Sequence, residues 1–338
     1  MKMRVLGLGI LTAAVAMTSA ARAGTLDAVK SRGELICGVN TGVPGFSAPD
    51  DKGQWKGLDV EYCQVLAAAV LGDKSKVKYV PLTSKERMAA LQTGEIDVLS
   101  RNTTWTMSRD VSLGIRFVGV DYYDGQGFLV KKSLGVKSVK ELSGASVCVL
   151  SGSTTEMNLA DYFRFNKMTY QAVVFDNHDQ TLQGFMSDRC DVLTSDQSQL
   201  YGLRSKLPDP GKAMVLPEVI SKEPLGPVVR QGDEQWFSIA RWALFTWVNL
   251  EEAGVTSKNV DAMLKTTSPD VKRLLGVDGD MGAKMGIAND YPVKIVKQVG
   301  NYGESFERTM GQGSPLKIAR GLNALWTKGG LMYGPPIR

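Results

Sequence analysis

Histidine is nearly absent from this chain of 338 residues: there is one, His178. A nucleophile–histidine catalytic pair would have to use it, and no G-x-S-x-G elbow accompanies it. The four cysteines, Cys37, Cys63, Cys148 and Cys190, form no C-x-x-C. With one histidine that argues against a zinc site, so no metal is expected. No glycine cluster fits G-x-G-x-x-G or a P-loop, which removes support for nucleotide binding. Beyond the N-terminus no stretch reaches the roughly 18 uncharged apolar residues that span a bilayer.

Excess charge is lacking too. Lys2 and Arg4 precede an apolar run from Val5 to about Met17, and Ala21-Arg22-Ala23 makes an A-x-A cleavage pattern before Gly24. This reads as a secretory signal peptide over residues 1–23, too short in its apolar core for a stable span. Lys2, Arg4 and Arg22 leave with it and no acid does, so 40 bases less 3 leaves 37 against 35 acids, a net charge of +2 rather than +5. A near-neutral mature chain gives no support for nucleic-acid binding, and an acidic ligand would need a local site. The length allows one large or two medium domains, and 43% apolar with 22% charged residues is ordinary for a soluble protein. In an oxidising compartment four cysteines suggest disulfides in one of three pairings. Their order along the chain favours Cys37–Cys63 and Cys148–Cys190, with four buried free thiols as the alternative.

From Gly33 onward short apolar runs alternate with helical ones. Glu34–Val39, Val77–Val80 and the run Ile96, Val98, Leu99 read as strands. Asp59–Leu71 reads as a helix burying Val60, Cys63, Val65 and Leu66, and Ser84–Leu91 as another, capped by Thr83 or Ser84 and ended near Gly94. This order predicts a largely parallel sheet with right-handed crossovers. A second run of the same kind follows Tyr122–Val130, with strands at Ala145–Leu150, Ala172–Phe175 and Asp191–Thr194. Helices are predicted at Val136–Leu142, Glu156–Asn166 and His178–Ser187, and further strands at Ala213–Leu216 and Leu225–Arg230, the last returning to the first lobe. Asp233–Ala253 is the strongest helix, with Phe237, Ala240, Leu244, Phe245 and Val248 on one face. The Gly-rich remainder is expected to pack on the first lobe.

The stretch Gly94–Arg109 turns abruptly from apolar to polar. A strand ending in Arg, Asn and Thr carries polar groups at the carboxyl edge of a sheet, where open α/β sheets bind ligands. Arg109 offers a planar fork of donors suited to a carboxylate; the plain alternative is a solvated arginine. Gly152-Ser153-Thr154-Thr155 opens a helix, where N–H groups and hydroxyls can receive an anion or where Ser or Thr simply caps. Asp196 either caps the next helix or receives an ammonium. His178 reads as structural or exposed, and Trp55, Trp105 and Tyr122 either stack on a ligand or belong to the core.

Gly57-Leu58-Asp59-Val60-Glu61-Tyr62 is similar to the pattern G-[FYIL]-[DE]-[LIVMT]-[DE]-[LIVMF], with Tyr62 where an aliphatic residue or Phe is usual. With export, a two-half α/β layout and three polar strand tips, the chain resembles the periplasmic amino-acid-binding proteins of ABC importers, solute-binding protein family 3, over roughly residues 34–253. The region after Ala253, with Asn301-Tyr302-Gly303-Glu304 and Asn323-Ala324-Leu325-Trp326, resembles the general L-amino-acid-binding subgroup. The resemblance implies a type II, Venus-flytrap α/β fold. Lobe 1 would comprise residues 24–128 and 226–338, lobe 2 residues 129–225, each a mostly parallel sheet flanked by helices. It also implies a periplasmic monomer, without cofactor or enzymatic activity, that captures varied L-amino acids for a membrane permease.

Carried over by position, Arg109, twelve residues after Asp97, would take the α-carboxylate. Asn102 and Thr104 would flank the ligand, Ser153 and Thr154 would face its carboxylate, and Asp196 would pair with its ammonium. Asn40 and Val43 stand where relatives place an acid and an aromatic residue, which removes features favouring cationic side chains. Side-chain contacts are expected from Thr41–Trp55 and Ser84–Arg87. The rivals are an exported enzyme on the same fold, such as a dehydratase using an Asp or Glu pair, and a sensory module.

Overall fold

Two five-stranded sheets organise residues 24–338, the part of the chain that the computed structural model describes. The signal peptide expected at residues 1–23 lies outside the described residues. The first sheet runs in the order Val77–Leu82, Leu35–Asn40, Val98–Leu99, Val228–Arg230, Ile115–Phe117. The second runs Gln171–Phe175, Ser146–Leu150, Val192–Asp196, Gln126–Lys131, Ala213–Val215. In each, the first three strands are parallel and the fourth is antiparallel to both its neighbours. That fourth strand is exchanged between the halves: Val228–Arg230 enters the first sheet only after the second is complete, and Gln126–Lys131 leaves the first half to enter the second. Each arrives directly from the other half, and an antiparallel neighbour needs no helical crossover. The largely parallel sheet expected from the pattern is therefore mixed. Residues 126–128, expected in lobe 1, pair with Asp196, Ser195 and Thr194 and so belong to the second sheet.

The central strands are buried on both faces, as their Val- and Leu-rich sequences require. Helix Leu58–Leu71 buries apolar residues around its whole circumference, because the C-terminal helices cover the face that a two-layer lobe would leave wet. It starts at Gly57, where φ is +127° and a Cβ would lie 2.1 Å from the Phe46 carbonyl oxygen, a position only glycine tolerates. The helix expected from Ser84 begins instead at Arg87, because Thr83 and Glu86 first form a turn in which the Thr83 N–H and hydroxyl donate to Glu86 Oε2 at 2.9 and 2.7 Å.

The chain passes between the sheets along a two-stranded antiparallel ribbon, Tyr122–Asp124 against Glu223–Leu225. The strand expected at Leu225–Arg230 is split by Gly226 and Pro227 as it leaves this ribbon. A Cβ at Gly226 would fall 1.9 Å from the Gly119 carbonyl oxygen, so the two crossings approach more closely than a side chain allows.

The C-terminal region packs on the first sheet's helices. Arg308 binds Glu61 through two bonds of 2.7 and 2.6 Å, and Arg320 binds Glu251 through two of 3.1 and 3.0 Å. The region also reaches the ribbon. The Asn323 amide accepts from the Tyr123 N–H (2.6 Å) and donates to the Tyr123 carbonyl (3.1 Å). It thereby satisfies backbone groups on the outer edge of the crossing strand.

Cys37 is bonded to Cys63 and Cys148 to Cys190, with Cα separations of 6.2 and 5.6 Å. The first bridge ties a central strand to its covering helix, and the second ties strand Ser146–Leu150 to the turn that precedes strand Val192–Asp196, 42 residues further along the chain. Replacing Cys148 and Cys190 together by alanine is expected to cost about 2–4 kcal/mol of stability. Denaturant unfolding under non-reducing conditions measures this, and an unchanged transition would show that the bridge does not stabilise the lobe.

Candidate functional site

The carboxyl ends of Val98–Leu99, Ser146–Leu150 and Val192–Asp196 converge beside the ribbon on a closed cleft. The cavity left there, about 20 Å³, is lined from the first half by Ser84, Arg87, Arg101, Asn102 and Thr104. From the second it is lined by Leu150, Ser153, Thr154, Thr155, His178, Ser195, Asp196 and Gln199. Larger cavities of about 410 and 600 Å³ lie along the C-terminal tail, but no Asp, Glu, Lys, Arg or His lining them is buried. The cleft has many.

Arg109 sits in the short helix Met107–Ser112, whose N-cap Thr106 accepts from the Arg109 N–H at 3.3 Å. Its Nη1 donates to the Thr104 carbonyl at 2.9 Å. Burial pushes its pKa down, opposed by the carboxylates of Glu223 and then Asp196. Asn102 holds a left-handed φ of 36°, and its N–H donates to the buried Asp59 carboxylate at 3.0 Å. Burial raises Asp59 to about 7, opposed by that bond and by Arg101. Asn40 donates to Asn102 Oδ1 at 2.9 Å and so orients it from behind the cavity. Arg109 and Val43 do not line the cavity either; Val43 packs in the first lobe's core.

In the second half Ser153 caps helix Thr154–Phe165, accepting from the Glu156 N–H at 3.2 Å while donating to the Leu150 carbonyl at 2.6 Å. Its hydroxyl is spent locally, and what the turn can offer an anion is the N–H groups of the first helical turn. Asp196 is the N-cap residue of helix Gln197–Ser205, but it makes no side-chain capping bond among the described residues. Its carboxylate accepts from the Gln199 amide and lines the cavity. Burial, Asp124 and Glu223 all disfavour its charge, while Arg87 and Arg109 favour it.

Four residues matter here beyond those carried over by position: Arg87 was expected only as part of the loop Ser84–Arg87, His178 as structural or exposed, and Arg101 and Glu223 not at all. Arg87, 3% exposed, donates to Thr103 Oγ1 at 3.3 Å, and its Nε has no partner among the described residues. Burial, Arg101 and Arg109 disfavour its charge, yet a guanidinium does not deprotonate in a protein, so it stands as a buried cation short of anions. Arg101 donates through Nε to the Leu82 carbonyl at 2.8 Å, and burial lowers it to about 10 against the pull of Asp59. His178, expected to be structural or exposed, is buried and lines the cavity, with Nε2 unpartnered among the described residues. Burial, then Arg101, Lys206 and Arg87, lowers it to about 3.

The fourth is Glu223, on the ribbon, whose carboxylate collects donors from both halves. Thr104 Oγ1 stands at 2.6 Å, Thr154 Oγ1 at 2.8 Å, and Asn158 Nδ2 and Ser221 Oγ both at 2.7 Å. An acid opening an otherwise apolar strand, Glu223-Pro224-Leu225, is the only local sign of it. Of the side-chain loops, Ser84 and Arg87 reach the cavity and Thr41–Trp55 does not. The three aromatics belong to the core side: Trp105 stacks on Phe117, Trp55 lies against Tyr79, and Tyr122 packs between Phe46 and Phe306.

This architecture has known counterparts. Residues 35–274 match the bacterial extracellular solute-binding proteins, family 3. The chain is 56% identical over 341 residues to the general L-amino acid-binding periplasmic protein AapJ of Rhizobium johnstonii, covering 100% of both. It is 53% identical to the glutamate/glutamine/aspartate/asparagine-binding protein BztA of Rhodobacter capsulatus, covering 98% of each. Among solved structures, an ABC transporter periplasmic binding protein from Brucella ovis with glutathione bound superposes with a TM-score of 0.92 at 55% identity, over 94% of this chain and 100% of that one. With its two exchanged-strand sheets joined by a ribbon, the chain belongs to the family 3 solute-binding proteins and has their two-lobed type II fold.

Proposed function

We propose that the chain captures L-amino acids between its two lobes in the periplasm and delivers them to the membrane permease of an ABC importer. One pairing carries the reading: Arg109 belongs to one lobe and Asp196, which lines the cavity, to the other, and each lies within the other's field, with Arg109 held behind the cavity wall on the Thr104 carbonyl. An anion alone would need no Asp196, whereas a zwitterion needs both. Arg109 and the N–H groups at Thr154 take the α-carboxylate, Asp196 takes the ammonium, and Asn102 and Thr104 flank it. Because the contacts come from both lobes, a ligand held by all of them favours the closed arrangement. The lobes, taken as residues 24–125 with 226–338 and residues 126–225, turn about the ribbon. The chain works as a monomer and releases its ligand unchanged, so mass spectrometry of the recovered ligand should find no turnover product.

Arg87, Arg101, His178 and Ser84 bear on side-chain preference. Two cations buried together, one with an unpartnered donor, suit a carboxylate or an amide oxygen better than an ammonium. We read this as a preference for acidic and amide side chains within a broad range. The Rhodobacter capsulatus relative is named for glutamate, glutamine, aspartate and asparagine, and the Brucella ovis protein holds glutathione.

Arg109→Ala should weaken every amino acid by about 3–5 kcal/mol, more than a hundredfold in Kd, by leaving the ligand carboxylate and Asp196 without their partner. Titration calorimetry over a panel of amino acids reads this, and unchanged affinity would sink the assignment. Arg87→Gln should weaken L-glutamate and L-aspartate more than L-alanine in the same assay; equal losses would remove Arg87 from side-chain recognition. His178 is the chain's only histidine, so its NMR signal is unambiguous. With its pKa lowered to about 3, the folded protein should show no imidazole titration between about pH 5 and pH 8, where an unperturbed histidine titrates. Because this folded pKa lies below the unfolded value of about 6.5, the histidine's contribution to stability is present above that pH and is lost as the pH falls towards 3.

A further inference from the structure

Each threonine hydroxyl carries one proton and two acceptor lone pairs, so where that proton goes decides what the oxygen offers a ligand. Thr104 Oγ1 and Thr154 Oγ1 face each other across the lobe boundary at 3.2 Å, and both line the cavity. Behind them, and not lining it, Glu223 Oε2 stands closer to each, at 2.6 and 2.8 Å. A bond to a carboxylate is charge-assisted and stronger than one between neutral hydroxyls, so both protons go to Glu223. Its other oxygen takes Asn158 Nδ2 and Ser221 Oγ at 2.7 Å. Four donors fill the four lone-pair positions of this residue, 1% exposed, so that both its oxygens act as acceptors.

We infer that Glu223 is a positioning residue for ammonium recognition: by taking the hydroxyl protons of Thr104 and Thr154 it leaves both oxygens as acceptors toward the cleft. The inference rests on the reading above and deepens it. The two hydroxyl oxygens and the Asp196 carboxylate then form a set of acceptors, which an ammonium meets with three N–H donors and a hydroxyl with only one. Thr104 comes from lobe 1 and Thr154 from lobe 2, so the set exists only when the lobes shut on the strand carrying Glu223. The same proton count removes Thr154's hydroxyl as a donor to the ligand carboxylate, leaving that task to backbone N–H groups and Arg109.

The test compares L-glutamate with (S)-2-hydroxyglutarate, and L-alanine with L-lactate, by titration calorimetry on the wild-type protein and on Glu223→Gln. The glutamine amide is isosteric, but its NH2 cannot accept: Asn158 Nδ2 can only donate and holds the amide oxygen on its side, so the NH2 faces Thr104 and Thr154, whose oxygens accept from it and whose protons turn into the cleft. The preference for the amino over the hydroxy ligand is expected to shrink by about tenfold or more. A loss of affinity that is equal for both ligands, leaving the ratio unchanged, would mean that Glu223 only latches the lobes, and would overturn the proposal. If Glu223→Gln does not fold, Thr104→Val should shrink the same ratio while Thr104→Ser, which keeps the hydroxyl, preserves it; an unchanged ratio in the valine variant overturns the proposal as well. Arg109→Ala separates the two levels. Affinity lost there with a constant ratio in Glu223→Gln sinks only this inference, whereas affinity retained there sinks the amino-acid reading beneath it.

Discussion

Arg87 and Arg101 are withdrawn from water at the bottom of the cleft, and the surrounding fold has to offset that desolvation. It does so only in part, through the Leu82 carbonyl, Thr103 and the charge of Asp59. Among the carboxylates around the ribbon, burial disfavours charge as well. Burial and mutual repulsion raise Asp124 to about 6 and push Asp196 up, with Glu223 contributing to both. The cleft therefore holds two buried guanidinium groups incompletely offset by anions together with carboxylates whose charge burial and one another disfavour. A buried charge left unpaired is costly, so a ligand bearing complementary charges gains more than its own contacts.

The cleft is divided between two bodies that the chain links through the ribbon, and the ribbon's surroundings therefore border the site on both lobes. Glu223 gathers donors from both lobes on its inner side. On its outer side the ribbon is held by the C-terminal region, through Asn323 on the backbone of Tyr123 and through the Tyr302 hydroxyl on the Asp121 carbonyl. The region after Ala253 thus does more than thicken lobe 1. It supports the ribbon strand that links the lobes, anchored by the Arg308–Glu61 and Arg320–Glu251 pairs.

Much of this was legible along the chain. Apolar periodicity located most of the strands and helices between residues 34 and 253, though not helices Thr25–Arg32 and Met107–Ser112, strand Ile115–Phe117 or the short helices after Ala253, and the order of the cysteines matched the bonded pairs. The polar tips at Asn102–Thr104, Ser153–Thr154 and Asp196 did meet in one cleft. What periodicity missed was local: the helix start moved to Arg87 because the Thr83–Glu86 turn satisfied itself first, and the strand at Leu225–Arg230 broke where two crossings touch at Gly226.

The exchanged strands, the role of the ribbon and the burial of Arg87, Arg101, His178 and Glu223 are not written in any single stretch. Sequence by itself determined which segments are strands and helices, which of their ends are polar, and that an arginine and an aspartate stand at two such ends, because these follow from contacts between near neighbours. Tertiary structure alone decided which side chains lose water and whose protons they share. Desolvation and hydrogen-bond polarity depend on groups as far apart as Thr104 and Glu223, 119 positions along the chain and 2.6 Å in space.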